Sequence, residues 1–250
     1  MKSEAGLAPH PTLQRYYAAP EERQQRVNAM FDASASHYDL VTRLMSFGSG
    51  DWYRRQAMVR AGITAGQRVL DIGAGTGALS LAAQKIVGSD GLVLAVDPSP
   101  GMLGCAREAG VRRAVLGGGE ALPVADGTFD WVVMGYALRH VPDLRLAFSE
   151  YLRVLRPGGR VLLLEWTRPS SHLGSAALRF YLKQVVPAVS GLATRSGSVR
   201  ELMQYYWDTI EQCVPPETIV GALQEAGFAE AGSHRVLGMF IEYSGTRPAR

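Results

Sequence analysis

Residues 69–79 read VLDIGAGTGAL, a short apolar strand that runs into a glycine-rich turn. Because glycine has no Cβ and tolerates tight turns, Gly73, Gly75 and Gly77 allow a ligand to approach the backbone closely. The spacing is Gly-x-Gly-x-Gly, whereas the dinucleotide fingerprint that cradles a pyrophosphate is Gly-x-Gly-x-x-Gly. Asp71 before the turn would repel a pyrophosphate. The pattern predicts a nucleotide-like cofactor that carries an ammonium group and no phosphate.

A second apolar run, residues 92–97, ends in Asp97, twenty residues after Gly77 (97 minus 77). A doubly wound α/β fold places a carboxylate at this position to accept ribose hydroxyls. A glycine triplet alone also fits an ordinary strand-to-helix connection, but the second acid favours a ligand site. S-adenosyl-methionine, with its amino acid moiety and its ribose, matches two acids that bracket one ligand.

Further strands alternate with helical patterns along the chain. We predict strands over 68–71, 92–97, 113–116, 131–134 and 160–166, and a closing antiparallel pair over 234–237 and 240–243. Strand followed by helix, repeated, is typical of a parallel sheet covered on both faces. The sequence therefore predicts an α/β fold with a doubly wound, mostly parallel seven-stranded sheet.

Residues outside this alternation predict additions to the sheet. Residues 1–20 contain three prolines and little periodicity, so we expect a flexible tail. Residues 21–250 are expected to form one domain, with an N-terminal helical cap over 21–62. Within the cap we expect helices over 21–35 and 51–61, the second with Asp51 as its N-cap and ended by Gly62. An inserted helical lid is expected over 167–216.

Composition narrows the class of protein. The chain has 250 residues, 47% of them hydrophobic, and a net charge of +3, which is too small an excess to predict nucleic-acid binding. Cys105 and Cys213 are far apart and lack metal-ligand spacing, so we expect free thiols and no metal site. The amino terminus lacks an apolar signal core and no run is long enough to span a bilayer, which predicts a cytoplasmic protein.

At this point the sequence resembles the class I S-adenosyl-methionine-dependent methyltransferases, with a Rossmann-like fold. Four further segments make it similar to the ubiquinone/menaquinone-biosynthesis C-methyltransferase family: YDLVTRLMSFG at 38–48, EALP at 120–123, LR at 138–139 and RVLRPGGRVLLLE at 153–165. The likeness covers about residues 27–243. It implies C-methylation of a prenylated quinol, either demethylmenaquinol or a ubiquinone precursor, with S-adenosyl-methionine as cofactor and a lipophilic small molecule as substrate.

The resemblance also implies which residues bind the cofactor. Asp71 and the turn at Gly73, Gly75 and Gly77 would hold the methionine end, and Asp97 would hold the ribose. Met102 would lie over the adenine, although it fits plain helix packing as well. The family usually presents an Asp or Asn to the adenine amino group before EALP, but this chain has three glycines at 117–119. Backbone groups of Gly118 and Gly119 would then contact the adenine edge.

The expected catalytic residues are Arg139, His140, Tyr38 and Asp39. An aromatic carbon becomes nucleophilic when its ring hydroxyl is deprotonated, so Arg139 would stabilise a phenolate as a fixed cation. The family usually has asparagine where this chain has His140, which would serve as a general base or would only bind a neighbouring loop. Tyr38 and Asp39 would contribute from the cap, with Tyr38 orienting a water or the substrate hydroxyl.

The sequence leaves several alternatives open. The chain would methylate another small aromatic or amine acceptor at oxygen or nitrogen, or it would serve as a scaffold that binds the cofactor without turnover. The lid carries apolar residues that would either pack on the core or line a channel for a lipophilic substrate. Its exposed faces, with Arg179, Lys183, Arg195 and Arg200, would contact the inner face of a membrane or form a homodimer interface.

Overall fold

The computed structural model describes residues 6–19, 22–46, 48–189 and 197–249. Its strands are β1 (Arg68–Ile72), β2 (Leu92–Asp97), β3 (Ala114–Leu116), β4 (Phe129–Gly135), β5 (Leu155–Trp166), β6 (Ala229–Val236) and β7 (Phe240–Thr246). They form one sheet in the order β3-β2-β1-β4-β5-β7-β6. Only β7 runs antiparallel to its neighbours among these pairings. The predicted mostly parallel seven-stranded sheet is confirmed.

Helices cover both faces of the sheet. They are α1 (Arg23–Met45), α2 (Gly50–Ala61), α3 (Ala78–Val87), α4 (Pro100–Glu108), α5 (Leu144–Val154), α6 (His172–Phe180), α7 (Gly197–Gln212) and α8 (Pro216–Glu225). Side chains alternate between faces along a strand, so neighbours in sequence enter different cores. Leu70 and Val132 pack with α5 and α8, whereas Val69 and Val133 pack with α2 and α3. The near-continuous apolar strands of the sequence follow from this burial on both sides.

The strand order reverses between β1 and β4, because the chain first builds β1, β2 and β3 outward and then returns to the other side of β1. Ligands of open α/β sheets bind outside the carboxyl ends of the strands at such a switch point. The ends of β1, β2 and β4 are therefore the expected position of the site.

Some predicted boundaries were wrong. Helix α1 continues to Met45, well beyond the expected end at residue 35. Helix α2 begins at Gly50, and Asp51 does not cap it; the Asp51 carboxylate lies in the first turn and accepts a hydrogen bond from Arg54 at 3.1 Å. Gly62 ends α2 as expected, with φ at 101° in the left-handed region that glycine favours.

Residues 6–19 are not the flexible tail that the prolines suggested. Leu13, Tyr16 and Tyr17 are buried, and they form one apolar cluster with Tyr205 of α7. The Tyr16 hydroxyl also donates to Asp208 at 2.7 Å. Burial of a leucine and two aromatic rings offsets the entropy of ordering this segment. Residues 1–5 and 20 lie outside the described residues.

The inserted segment packs mainly on the cap. Helix α6 continues into a π-helical turn, Tyr181–Val185. Most of the buried residues of the segment share one cluster with Val41 and Met45 of α1 and with Trp166: Leu178, Leu182, Val186, Leu202, Met203, Tyr206, Trp207 and Ile210. Core packing therefore accounts for most of its apolar residues.

The outer face of the segment differs in part from the expectation of a basic, lipid-facing surface. Lys183 forms an ion pair with Asp208 at 2.7 Å, so its charge is already matched. Leu173 and Phe180 are 82% and 63% exposed. Arg195 lies outside the described residues, as does the side chain of Arg200.

We predict that Leu13→Ala lowers the free energy of unfolding by about 2–5 kcal/mol, because the truncation removes buried methyl groups and leaves a cavity. Urea unfolding at constant pH measures the effect. The matched control is Thr12→Ala, an exposed neighbour, which should change stability by less than about 0.5 kcal/mol. Equal, negligible effects of both substitutions would mean that residues 6–19 do not pack on the domain.

Candidate active site

A cavity of about 720 Å³ lies at the predicted switch point, between the ends of the strands and helix α1. Eight of the twelve residues expected from the sequence line it: Tyr38, Gly73, Gly75, Asp97, Met102, Gly118, Gly119 and His140. The other four, Asp39, Asp71, Gly77 and Arg139, do not.

Asp97 and the glycine turn form the acidic side of the cavity. The Asp97 carboxylate accepts hydrogen bonds from the backbone N–H groups of Gly75 and Ser99, both at 2.8 Å. Burial raises the pKa of Asp97 to about 6, and these two donors oppose the rise. Each carboxylate oxygen retains a second lone pair, so Asp97 can also accept from paired hydroxyls of a ligand.

Asp71 lies beneath the turn and does not reach the cavity. Its side chain is fully buried and accepts a hydrogen bond from the Ser80 hydroxyl at 2.6 Å. Burial raises the pKa of Asp71 to about 7. Gly77 serves packing: a Cβ there would lie 2.4 Å from Val111, so only glycine lets α3 sit this close. Direct contact of Asp71 and Gly77 with a ligand is therefore not part of this geometry.

Met102, Gly118 and Gly119 line another part of the same cavity. Met102 is buried, and its backbone N–H donates to the Ser99 side chain at 3.0 Å, which caps α4. Gly118 and Gly119 lie at the rim, where a Cβ on Gly119 would approach the Tyr151 hydroxyl to 2.9 Å. Bare backbone is thus exposed to the cavity where the family presents a polar side chain.

Helix α1 closes the cavity through two of the predicted residues. Tyr38 lines the wall, and its hydroxyl lies 2.5 Å from the hydroxyl of Tyr206 on α7. Burial raises the pKa of both tyrosines, so both stay protonated at neutral pH. Asp39 faces away from the cavity and accepts a hydrogen bond from the Thr76 hydroxyl at 2.6 Å. Asp39 therefore fastens the cap to the glycine turn and does not reach the acceptor.

Arg139 is not at the cavity surface, contrary to the expectation of a cation beside the acceptor. It is fully buried and forms an ion pair with Glu165 at the end of β5. Its Nε donates to Thr209 at 3.1 Å. Its guanidinium lies 4.4 Å from the centre of the Tyr206 ring, which separates it from the cavity. Arg139 therefore acts on the site through Tyr206.

His140 does line the cavity. Its Nδ1 lies 3.2 Å from the hydroxyl of Tyr205, and its Nε2 is buried without a hydrogen-bond partner among the described residues. Burial lowers the pKa of His140 well below its usual range, and the charge of Arg139 lowers it further. The imidazole is therefore neutral at physiological pH.

Comparison with protein families identifies the family to which the chain belongs. The model of the ubiE/COQ5 methyltransferase family matches residues 20–244, nearly the whole chain. The chain belongs to that family. Membership confirms the expected S-adenosyl-methionine-dependent methyltransferase, and the donor set around Asp97 and the bare glycine rim fits that cofactor.

Curated relatives and solved structures agree with the family. The ubiquinone/menaquinone biosynthesis C-methyltransferase UbiE of Cellvibrio japonicus is 34% identical over 91% of this chain and 94% of its own. The demethylmenaquinone methyltransferase of Symbiobacterium thermophilum is 33% identical over 85% of this chain and 88% of its own. A methyltransferase structure from Thermotoga maritima, titled a possible histamine N-methyltransferase, has a TM-score of 0.62 at 21% identity, covering 88% of this chain and 98% of that one. The last likeness concerns the fold alone.

Several residues that shape the site were not predicted from the sequence. Glu165 carried a signal in the sequence, since an acid inside the apolar run of β5 requires a buried cation. Asp32 of α1 accepts hydrogen bonds from Ser99 at 2.5 Å and from the backbone of Gly101 at 3.0 Å. Neither Asp32 nor the tyrosines of α7 stand in a motif, so only tertiary contact reveals them.

The described ranges hold neither a metal-binding cluster nor a membrane-spanning helix. No group of three or more His, Cys, Asp or Glu side chains there could hold a metal ion. No helix in the described part of the chain has the length and hydrophobicity needed to cross a membrane.

We predict that Glu165→Gln lowers the free energy of unfolding by about 3–5 kcal/mol, because it leaves the buried Arg139 without a counter-charge. Guanidinium denaturation measures the loss. The double variant Glu165→Gln/Arg139→Met, which also removes the cation, should recover part of it. A double variant no more stable than Glu165→Gln would show that the unpaired charge is not the cause.

Proposed function

We propose that this chain methylates a ring carbon of a prenylated quinol, with demethylmenaquinol or a ubiquinone precursor as acceptor. The observation that carries the proposal is a cavity that joins a cofactor-binding acid, Asp97, to a neutral and unpartnered nitrogen on His140. The two curated relatives act, by their names, in ubiquinone or menaquinone biosynthesis or on demethylmenaquinone.

The cofactor residues have distinct tasks in this proposal. Asp97 would accept the ribose hydroxyls, and the backbone of Gly73 and Gly75 would hold the methionine moiety. Met102 and the rim at Gly118 and Gly119 would hold the adenine. When bound, the cofactor supplies a methyl group on a sulfonium, so that a neutral thioether is left after transfer.

His140 holds and moves the proton on the acceptor side. The acceptor ring is a better nucleophile as a phenolate, and the ring carbon must lose its proton after it gains the methyl group. With Nδ1–H donating to Tyr205, Nε2 of His140 has a free lone pair and accepts such a proton. Tyr38 and Tyr206 stay protonated, and their hydroxyls orient the acceptor oxygen.

Arg139 and Asp39 are positioning residues in this proposal. Arg139 holds Tyr206 through the contact between its cation and the ring, and its own charge is matched by Glu165. Asp39 ties α1 to the turn at Thr76 and so keeps Tyr38 over the cavity. Asp71 acts in the same way, by ordering the glycine turn through Ser80.

A lipophilic acceptor has to be taken up from a membrane. We therefore propose that the protein contacts the membrane surface through the exposed face of α6, where Leu173 and Phe180 project. Homodimer formation through the same face is the competing proposal. Flotation with anionic vesicles and sedimentation equilibrium distinguish the two.

The test of the function is methyl transfer from labelled S-adenosyl-methionine to a prenylated demethylnaphthoquinol by the purified protein. The expected product carries the label on a ring carbon. Asp97→Ala is the control, because loss of the ribose contact should weaken cofactor binding by about 1.5–3 kcal/mol. Methylation only of soluble acceptors at oxygen or nitrogen would favour the other acceptor class, and cofactor binding without any turnover would favour a scaffold.

We predict that His140→Leu lowers kcat by about 10²-fold or more at saturating cofactor, because it removes the base and keeps a similar side-chain volume. The dissociation constant of the cofactor, measured by calorimetry, should not change. A base with a lowered pKa is active above that pKa, so wild-type kcat should not fall as the pH decreases from about 8 to about 6.5. An unchanged kcat in the variant would assign His140 to loop packing.

A further inference from the structure

A second cavity, of about 590 Å³, adjoins the first on the side away from Asp97. Three tyrosines line both cavities and form the shared wall: Tyr38, Tyr136 and Tyr206. Tyr136 is held at φ 64° at the end of β4, a conformation that costs energy for a residue other than glycine and is typical of functional sites. None of the residues assigned to the cofactor lines this second cavity.

The walls of the second cavity are largely aromatic. Phe240 of β7 stacks on Tyr53 of α2 with ring centres 5.0 Å apart, and it contacts Trp166 at 4.5 Å. Among the described residues of the lining, Arg54 alone is charged, and its guanidinium lies 5.5 Å from the centre of the Tyr136 ring. No carboxylate lines the cavity within the described residues. An apolar ligand suits these walls better than a polar one.

Two large apolar side chains stand at the mouth of this cavity in contact with solvent. Trp52 of α2 is 67% exposed and Leu237 is 78% exposed. Leu237 also has φ at 52°, in a turn between β6 and β7 where Asn or Gly would be less strained. An exposed leucine in a strained position stabilises neither the turn nor the core.

We infer that the second cavity holds the apolar tail of the acceptor and that the tail leaves the protein between Trp52 and Leu237. The acceptor ring lies at the shared tyrosine wall, between the cofactor and the tail. This inference rests on the proposed function and adds to it a site for the tail. It also departs from the sequence-based expectation that the inserted segment forms the channel, because Tyr206 is the one described residue of that segment in the lining.

The test uses two acceptors with the same quinol ring, one with a two-unit prenyl tail and one with hydrogen in its place. Thr42 of α1 lines the second cavity, and Thr42→Trp should fill part of it. For Thr42→Trp we expect the ratio of kcat/KM for the tailed to the tail-less acceptor to fall about tenfold or more. The reason is that kcat/KM falls by about tenfold or more for each methylene of a ligand that an apolar pocket no longer accommodates. Leu237→Asn, which relieves the turn, should raise the KM for the tailed acceptor alone.

Leu40→Trp is the matched control, because Leu40 lies on the same helix, is exposed and lines neither cavity. For Leu40→Trp, the ratio of kcat/KM for the tailed to the tail-less acceptor should equal that of the wild type. Unchanged ratios in both Thr42→Trp and Leu237→Asn would overturn the inference while leaving the proposed function intact. If the wild type methylates neither quinol, the proposed function itself fails. Calorimetric binding of S-adenosyl-methionine checks that each variant is folded.

Discussion

The buried ion pair of Arg139 and Glu165 is the interaction on which the arrangement of the site depends. Both side chains are almost entirely withdrawn from water, so each charge is tolerable only because the other is in contact with it. The pair joins the loop after β4 to the end of β5. Arg139 then extends the connection to Thr209 of α7 and to the ring of Tyr206.

The same arginine ties the amino-terminal segment to the site. The backbone carbonyl of Arg139 accepts a hydrogen bond from Arg23 at 2.9 Å, and Arg23 contacts the ring nitrogen of His10 at 2.9 Å. Burial lowers the pKa of His10 to about 4, so this histidine is neutral and accepts the hydrogen bond from Arg23. Cap, inserted helices and sheet therefore meet at one polar centre, and the cavity lies directly beside it.

The acids of the site divide into those that meet a ligand and those that hold the walls. Asp97 faces the cavity and keeps lone pairs for a ligand. One carboxylate oxygen each of Asp71, Asp39 and Asp32 accepts a hydrogen bond from the hydroxyl of Ser80, Thr76 and Ser99, respectively. Each of these hydrogen bonds fixes a segment that the cavity needs, so a carboxylate can be essential to such a site without touching the ligand.

The sequence by itself determined the mostly parallel seven-stranded sheet and the glycine turn at which the cofactor is expected, whereas the strand order came from the structure. Apolar strands separated by helices leave a parallel, doubly wound sheet as the way to bury both faces, and the glycine turn with Asp97 identifies the switch point. The sequence also identified two residues that line the cavity. His140 follows the predicted strand over 131–134, and Tyr38 lies in a segment similar to the family.

Only the tertiary structure decided which polar residues reach the cavity. Arg139 and Asp71 stand in strong motifs, yet burial turned the first toward Glu165 and the second toward Ser80. Tyr206 and Leu237 stand in no motif and come to the site through packing and a strained turn. The reason is physical: local sequence sets the direction of the backbone, whereas the partner of a buried charge or ring comes from a distant part of the chain.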